Sequence, residues 1–299
     1  MEVLAGSGRE GFADGAGAAA QFSMPYGVAV DGEGSIIIAD MGNHRVRKIT
    51  PDVTVSTLAG SGSAGFADGA GAAAQFNGPI GVAVDGEGNI IIADEGNHRV
   101  RKITPDGTVS TLAGSERIGF ADGAGAAAQF CSPTGVAVDG EGSIIIADEG
   151  IQRLRKITRE GTVSTLAGSG SARFADGAGA AAQFHNPIGV AVDGEGSIII
   201  ADYNNMQLRK ITPDGTVSTL FAGSCGFRGV AIDADGCVVV STDKHTVAKI
   251  ADCRVAAPGA AEQKRRLAFC MLSHERLGHG SIWAGLEQGL LQMVLWNKH

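Results

Sequence analysis

The sequence predicts an all-β chain: a β-propeller of about five four-stranded blades, with six possible, followed by a short helical C-terminal tail. Three observations support this prediction. A unit recurs every 54 residues, each unit contains short segments rich in β-branched residues, and no helix-length segment separates them. The repeats assign residues 1–253 to the propeller and residues 254–299 to a helical extension.

The repeat is clearest in the phrase GVAVDGEG, which begins at Gly27, Gly81, Gly135 and Gly189. A diverged copy, GVAIDADG, begins at Gly229, only 40 residues after the fourth. The last unit is shorter because it lacks a string that precedes the others. This string is GFADGAGAAAQF at residues 11–22, 65–76 and 119–130, and RFADGAGAAAQF at residues 173–184.

Each unit contains four predicted strands, GVAVD, SIIIAD or NIIIAD, HRVRKIT and TVSTLAG, joined by tight DGEG and PDG turns. Connections this short require antiparallel neighbours, because a parallel pair needs a crossover of a dozen residues or more. The second strand contains three consecutive isoleucines, such as those at 90–92, and is therefore apolar on both faces. A strand of this kind lies between two sheets, as in a propeller blade.

The ends of the repeat region predict how the ring closes. MEVLAGSG at the N-terminus aligns with VSTLAGSG one unit later, so the chain opens with a lone fourth strand. The last unit has only three strands, GVAIDA, CVVVST and TVAKIA. We therefore expect residues 2–5 to complete the last blade.

ADMGNHRVRKIT at residues 39–50 and ADEGNHRVRKIT at residues 93–104, each followed by VSTLAG and GVAVD, resemble NHL repeats. The resemblance covers residues 2–252. It implies a β-propeller, usually of six blades, that binds protein or RNA or forms a non-catalytic module. It also implies an alternative, since some relatives of this architecture are metal-dependent lactonases or lyases. The later units EGIQRLRKIT and YNNMQLRKIT lose the Asn–His pair of the motif.

Alternating strand directions place the repeated string on the same face as the loops that follow the second strands. We call this the long-loop face, and the opposite one, which carries the DGEG and PDG turns, the short-turn face. Within the string, Asp68 is expected to cap a helical turn through residues 70–75, and Phe66 and Phe76 are expected to anchor it to the rim. Identical copies suit packing between blades better than ligand recognition.

Four aspartates that end the second strands are weak candidates for a metal site: Asp40, Asp94, Asp148 and Asp202. Asn43, Asn97, Asn204 and Asn205 could add oxygen ligands. The alternative is an ion pair inside each blade with the arginine of the same repeat, which the spacing assigns to Arg45, Arg99, Arg153 and Arg209. Identical residues at one radius do not obviously converge on an axis, so the ion pair is favoured and no cofactor is predicted.

Other motifs favour structural roles. His44 and His98 recur as repeat consensus without a nucleophile in a catalytic order. GSGSAG at residues 60–65 matches a dinucleotide fingerprint but lacks the βαβ context. HERLGH at residues 274–279 spaces its histidines five apart, which does not place them on one helix face. The tail beyond residue 254 has an amphipathic helical pattern.

The composition narrows the function classes. A net charge of −8 and the lack of stacking aromatics argue against nucleic acid as a partner. No transmembrane segment or secretory signal is visible, which slightly favours the cytoplasm. Five cysteines without a CxxC pair do not form a disulfide framework.

The sequence therefore favours a non-catalytic scaffold that binds a protein through the long-loop face, with a metal-dependent hydrolase or lyase as the first alternative and RNA binding as the second. The candidate partner contacts are the residues that depart from the repeat consensus in the third and fourth units: Glu149, Ile151, Gln152, Tyr203, Asn204, Asn205 and Met206.

Overall fold

The structure is a computed structural model that describes residues 3–254 and 269–270. These residues form five antiparallel β-sheets arranged as a propeller. The predicted all-β, five-bladed architecture is confirmed, and no α-helix occurs in this part of the chain. The predicted helical tail lies outside the described residues, apart from the short strand at 269–270.

The first sheet has six strands, of which β24 (Phe269–Cys270) is the last along the chain, the next three sheets have five strands each, and the fifth has three. The strands of blade 1 are β1 (Gly15–Ala16), β2 (Pro25–Val30), β3 (Ile36–Asp40), β4 (Arg45–Ile49) and β5 (Thr54–Ala59). Those of blade 2 are β6 (Gly69–Ala70), β7 (Pro79–Val84), β8 (Ile90–Asp94), β9 (Arg99–Ile103) and β10 (Thr108–Ala113). Those of blade 3 are β11 (Gly123–Ala124), β12 (Pro133–Val138), β13 (Ile144–Asp148), β14 (Arg153–Ile157) and β15 (Thr162–Ala167).

The strands of blade 4 are β16 (Gly177–Ala178), β17 (Pro187–Val192), β18 (Ile198–Asp202), β19 (Gln207–Ile211) and β20 (Thr216–Ala222). Those of blade 5 are β21 (Phe227–Ile232), β22 (Cys237–Thr242) and β23 (Val247–Arg254), and β24 is Phe269–Cys270. Short 3₁₀ helices occupy Gly17–Ala19, Met41–Asn43, Glu95–Asn97, Gly125–Ala127, Glu149–Ile151, Gly179–Ala181 and Tyr203–Asn205.

The inner strands of neighbouring blades approach so closely that glycine is required at the contact. A Cβ atom added to Gly81 would lie 2.0 Å from the carbonyl oxygen of Thr134 in the next blade. The equivalent Gly27, Gly135 and Gly189 face the next blade in the same way, at 2.1 to 2.4 Å. The isoleucines of the second strands are buried on both sides, so the core consists of layers between successive blades.

The repeated string forms part of these layers. Its Gly69–Ala70 pair adds a short outermost strand to blade 2, opposite Val109 and Thr108. Its other half binds the preceding blade, because the Gly60 and Ser61 N–H groups donate to the Gly71 and Ala74 carbonyls at 2.8 Å. Ala74 and Phe76 are fully buried in the cluster shared by blades 1 and 2. The string is a wedge that fills the space between two blades at the rim.

The expected helical turn capped by Asp68 is wrong. In the first, third and fourth strings only three residues form a 3₁₀ turn, and none of these turns has a side-chain cap. Asp68 points instead at Arg101 and at the outer strand, where it accepts the Thr111 N–H at 3.1 Å. A buried guanidinium is a stronger partner for this carboxylate than a helix end of three residues.

The expected closure by residues 2–5 is not found among the described residues. Residues 3–5 form no strand, and the last sheet contains only β21, β22 and β23. The N-terminal segment instead contacts the string of blade 1, where the Gly6 N–H donates to the Gly17 carbonyl at 2.8 Å. β24 pairs with Gly27–Val28 of β2 and also contacts β21, so it lies between the first and last blades.

Candidate functional site

Each of the first four blades contains a buried ion pair at the end of its second strand. In blade 2 the Asp94 Oδ2 atom accepts a hydrogen bond from Arg101 Nη1 at 2.8 Å, and both side chains are fully buried. The Asp94 Oδ1 atom accepts the Asn77 N–H, also at 2.8 Å. Blades 1, 3 and 4 repeat the pair as Asp40–Arg47, Asp148–Arg155 and Asp202–Arg209 at 2.7 to 3.1 Å.

The same arginine fastens the string of its own blade. Arg101 Nη2 donates to Asp68 Oδ1 at 2.6 Å and to the Ala67 carbonyl at 2.8 Å. Its guanidinium lies 4.8 Å from the centre of the Phe66 ring and 5.2 Å from that of Phe76. A planar, always charged group with five donors fits this combination of carboxylates, carbonyls and ring faces.

The structure corrects the predicted partners of three aspartates. Asp40, Asp94 and Asp148 pair with Arg47, Arg101 and Arg155, two positions beyond the expected arginines; only Arg209 was predicted correctly. The expected Arg45, Arg99 and Arg153 lie opposite the aspartates in the strand register, but their guanidinium groups cover the outer phenylalanines at 3.8 to 4.0 Å. Arg99 and Arg101 are two residues apart and therefore lie on the same face of the strand. The ionic partner of Asp94 is its diagonal neighbour Arg101, while the directly opposite Arg99 covers the Phe66 ring.

The fifth blade has neither this ion-pair network nor the string. In the strand register Thr242 takes the place of Asp94, and Ala248 takes that of Arg101. Their joint loss, where no string has to be held, supports a structural role for the pair. The oxygens of the four aspartates are engaged by arginine and backbone donors, and among the described residues no group of three or more His, Cys, Asp or Glu is placed to hold a metal ion.

Burial raises the pKa of all four aspartates, and in three blades an asparagine opposes this effect. Asn43, Asn97 and Asn205 each donate to the neighbouring aspartate at 2.8 Å. Blade 3 has Ile151 at this position, and the pKa of Asp148 rises to about 7. The fourth unit therefore keeps the asparagine of the motif, as Asn205, and loses only the histidine.

Neighbouring blades are linked on the long-loop face by the residue after the asparagine. His44 Nδ1 accepts the Gly78 N–H at 3.1 Å, and His98 Nδ1 accepts the Ser132 N–H at 3.0 Å. In blade 3 Gln152 Oε1 accepts the Asn186 N–H in the same way. These residues have positive φ values between 52° and 57°, which end the 3₁₀ turns and aim the side chains at the next blade.

A cluster of side chains from several blades meets at the propeller axis on the long-loop face. Tyr26, Ile80 and Ile188 are more than nine-tenths buried and form one group with Met41 and Tyr203. Because these residues come from blades 1, 2 and 4, they can share a group only near the axis. We call these five residues and Arg228 the axial cluster.

Arg228 brings the last blade into this cluster. Its Nη2 atom donates to the Tyr203 hydroxyl at 3.1 Å, and its guanidinium lies 4.8 Å from the centre of the Tyr203 ring. Burial acts to lower the pKa of Arg228, but a hydrogen bond to Tyr26 and the nearby Tyr203 and Asp243 raise it overall. The contact with Tyr26 joins blade 5 to blade 1 across the axis.

Two carboxylates lie beside the axial cluster. Burial raises the pKa of Glu149, and the nearby charge of Glu95 raises it further. A hydrogen bond from Asn186 Nδ2 to Glu149, at 2.8 Å, opposes this shift. A Cβ atom added to Gly78 would lie 3.9 Å from Glu95 Oε2 and 3.8 Å from Met41 Cε. The axis is therefore surrounded by apolar, aromatic, cationic and anionic groups at one face.

The predicted partner contacts separate into two groups. Glu149 and Tyr203 lie at the axis, and Asn204 and Met206 are exposed on the same loop face. Gln152 and Asn205 hold loops through the hydrogen bonds described above, and Ile151 takes the place of an asparagine.

Sequence reasoning missed six residues at the axis: Tyr26, Met41, Ile80, Glu95, Ile188 and Arg228. The signal was present. Within units that are otherwise nearly identical, the second residue of the inner strand and the first residue after the second strand vary, and no two blades have the same pair. The inner-strand residues are Tyr26, Ile80, Thr134, Ile188 and Arg228, and the loop residues are Met41, Glu95, Glu149, Tyr203 and Asp243.

The family model for the NHL repeat matches the chain four times, at residues 22–49, 76–103, 130–157 and 184–211. The chain is 40% identical over 91 residues to Protein SUPPRESSOR OF QUENCHING 1, chloroplastic, of Arabidopsis thaliana, a match that covers 30% of this chain and 9% of that protein. It is 29% identical over 217 residues to NHL repeat-containing protein 2 of Bos taurus, covering 63% of this chain and 30% of that protein. The chain thus spans less than a third of either relative.

Solved structures share the fold at low identity. A streptogramin B lyase aligns with a TM-score of 0.56 and 10% identity over 86% of each chain. A putative gluconolactonase aligns with a TM-score of 0.56 and 16% identity over 90% of this chain and 84% of that one. An auxiliary nutrient binding protein from Bacteroides ovatus aligns with a TM-score of 0.57 and 17% identity over 75% and 58% of the two chains.

These structures include enzymes and a binding protein, so their likeness establishes the propeller and leaves its activity open. In the described residues no helix is both long and apolar enough to span a bilayer. The repeat matches and the five-sheet architecture agree on one assignment. The chain contains four NHL repeats, which form blades of a β-propeller.

Proposed function

We propose that the chain is a non-catalytic scaffold that binds a protein partner through the long-loop face, centred on the axial cluster. The observation that supports this proposal is the position of the differences between repeats. In the first four blades the strings, the second strands and the DGEG turns are almost invariant. The two axial positions on the long-loop face vary instead, and no two blades have the same pair of residues there. A surface that only packs blades has no need for such differences.

The chemistry of this surface resembles that of a protein interface. Tyrosine, methionine and arginine are enriched in interface cores, and the axial cluster contains all three. Glu95 and Glu149 add charge at its edge. Met206 and Met24, which are 44% and 40% exposed, extend the apolar surface outwards. The proposed contacts remain Glu149, Ile151, Gln152, Tyr203, Asn204, Asn205 and Met206.

The test exchanges loops between blades of the same protein. Replacing YNNM at residues 203–206 with EGNH, the sequence of the matching loop in blade 2, changes Tyr203, Asn204 and Met206 while keeping a sequence that already folds at this position. A second variant replaces EGIQ at residues 149–152 with EGNH. The matched control lies on the short-turn face, where Arg159→Pro and Glu160→Asp convert REG into the PDG of the other units.

The readout is the Kd of a partner isolated by affinity capture, then purified and titrated against each variant. We expect either loop exchange to weaken binding by about tenfold or more, equivalent to about 1.4 kcal/mol, and the control to bind like the original chain. Unchanged affinity in both loop variants, or a loss confined to the control, would refute the proposal.

A further inference from the structure

The first blade boundary contains an asparagine followed by glycine, at Asn77–Gly78, and this dipeptide occurs nowhere else in the chain. An asparagine side chain can be attacked by the backbone nitrogen of the next residue. The attack is least hindered when that residue is glycine, which has no Cβ. The reaction forms a five-membered imide and releases ammonia.

The structure places a base on the proton that this reaction must remove. The Gly78 N–H donates to His44 Nδ1 at 3.1 Å, within the reach required of a general base. His44 belongs to blade 1 and is fixed by its own N–H, which donates to the Met41 carbonyl at 3.1 Å. Gly78 is buried, with φ at +61°, so the contact is part of the packed blade boundary.

The asparagine is anchored by two hydrogen bonds to blade 2. Its N–H donates to Asp94 Oδ1 at 2.8 Å, and its Nδ2 atom donates to the Gly96 carbonyl at 3.2 Å. The Gly78 N–H lies in the amide plane and points at the imidazole.

We propose that Asn77–Gly78 is a self-modification site, at which Asn77 cyclises and deamidates with His44 as the base. The Gly78 nitrogen forms a bond to Asn77 Cγ while its proton passes to His44 Nδ1. The bond from Cγ to Nδ2 breaks, and ammonia leaves with the proton returned by the imidazolium. Water then opens the imide to aspartate or to the isoaspartate linkage. Either product places a new negative charge at the boundary of blades 1 and 2, close to Glu95.

Other blades contain parts of this arrangement without the complete set. Ser132 donates its N–H to His98 Nδ1 at 3.0 Å, but the preceding residue is Cys131, which has no amide to lose. Asn186 is followed by Pro187, whose nitrogen has no proton. Asn43 and Asn97 are followed by histidines rather than by glycine. Modification is therefore expected at Asn77 before these sites.

The experiment follows deamidation at each asparagine by peptide mapping and mass spectrometry of the intact folded protein at neutral pH. His44→Gln removes the base but keeps the hydrogen bond, because Gln152 accepts the equivalent Asn186 N–H in blade 3. His98→Gln is the matched control one blade further on. Both variants are also incubated in urea, where the geometry is lost.

In the folded protein we expect His44→Gln to slow conversion of Asn77 by about tenfold or more, a modest share of what a positioned base contributes, and His98→Gln to leave it unchanged. In urea all three proteins should convert Asn77 at the same rate. Equal folded rates with and without His44 would refute the role of the base. Conversion in urea without conversion in the folded protein would refute the site. Neither result bears on partner binding, so the proposed function is tested separately.

Discussion

At the residue scale, one substitution changes the chemistry of a whole blade. Asp40, Asp94 and Asp202 each receive a hydrogen bond from an asparagine three residues later, but Asp148 does not, because Ile151 occupies that position. Burial then dominates and raises the pKa of Asp148 to about 7, even though Arg155 acts to lower it. Blade 3 therefore contains a buried carboxyl that changes charge close to neutral pH.

Ile151→Asn is expected to weaken this pH dependence, because the pKa of the aspartate is still raised in the three blades that already have the asparagine. With its pKa raised from 3.8 to about 7, native Asp148 holds a proton that the unfolded chain releases, so the free energy of unfolding falls as pH rises through this range. The new asparagine would stabilise the carboxylate, flatten this slope and add about 1–2 kcal/mol above pH 7. Urea unfolding at pH 5 and pH 8 measures both effects.

The reverse exchange, Asn97→Ile in blade 2, is the matched control and should create the same slope there. If Ile151→Asn and the original chain showed parallel stability profiles between pH 4 and 8, the assignment of this dependence to Asp148 would be wrong.

The residue scale is also where sequence reasoning was weakest. The aspartates were identified as ion-pair partners, but three of their arginines were not. Arg99 and Arg101 lie on the same face of the strand, and strand register alone does not say which of the two guanidinium groups reaches Asp94.

At the scale of elements, the string and the ion pair are one unit. Arg101 binds Asp94 inside the blade and Asp68 in the string, so it ties the outermost strand to the core. The fifth blade has neither the string nor the pair. The packing role of the string could be anticipated from its exact repetition. Its fold could not, because the buried arginine that redirects Asp68 stands more than 30 residues later.

A double-mutant cycle tests this unit with the residues of blade 5. Arg101→Ala should lower the free energy of unfolding by about 3–5 kcal/mol, because Asp94 remains buried without its cation. Adding Asp94→Thr, as Thr242 stands in blade 5, removes the uncompensated charge. The double variant should therefore lose less stability than the sum of the single changes, measured by urea unfolding.

Strictly additive losses would show that Asp94 and Arg101 do not depend on each other. A control at the surface is Lys156, whose ammonium lies 3.0 Å from Asp139 on partly exposed side chains. Lys156→Ala should change stability by less than about 1 kcal/mol, as expected for a solvated pair.

At the scale of the whole molecule, near-identical repeats build a ring whose two ends are different from its middle. The periodicity predicted the number of blades and the antiparallel sheets, since both follow from local strand and turn patterns. The periodicity did not predict correctly how the two ends of the repeat region pack. The expected pairing of residues 2–5 with the last blade depends on the geometry of the entire ring, which local patterns do not contain. The structure places β24 between the first and last blades, from a segment whose sequence does not repeat.

The N-terminal residues nevertheless take the position that the end of an outer strand has before each of the strings of blades 2, 3 and 4. Gly6 and Ser7 donate to Gly17 and Ala20 at 2.8 Å, as Gly60 and Ser61 donate to the next string. Removing residues 1–7 should therefore loosen the string of blade 1 and leave the other three unchanged. Hydrogen exchange at the Gln21 N–H, which donates to the Ala13 carbonyl at 3.1 Å, should become faster. The matched amides of Gln75, Gln129 and Gln183 in the same sample are internal controls, and equal exchange at all four positions after the deletion would show that the N-terminal segment does not hold the blade.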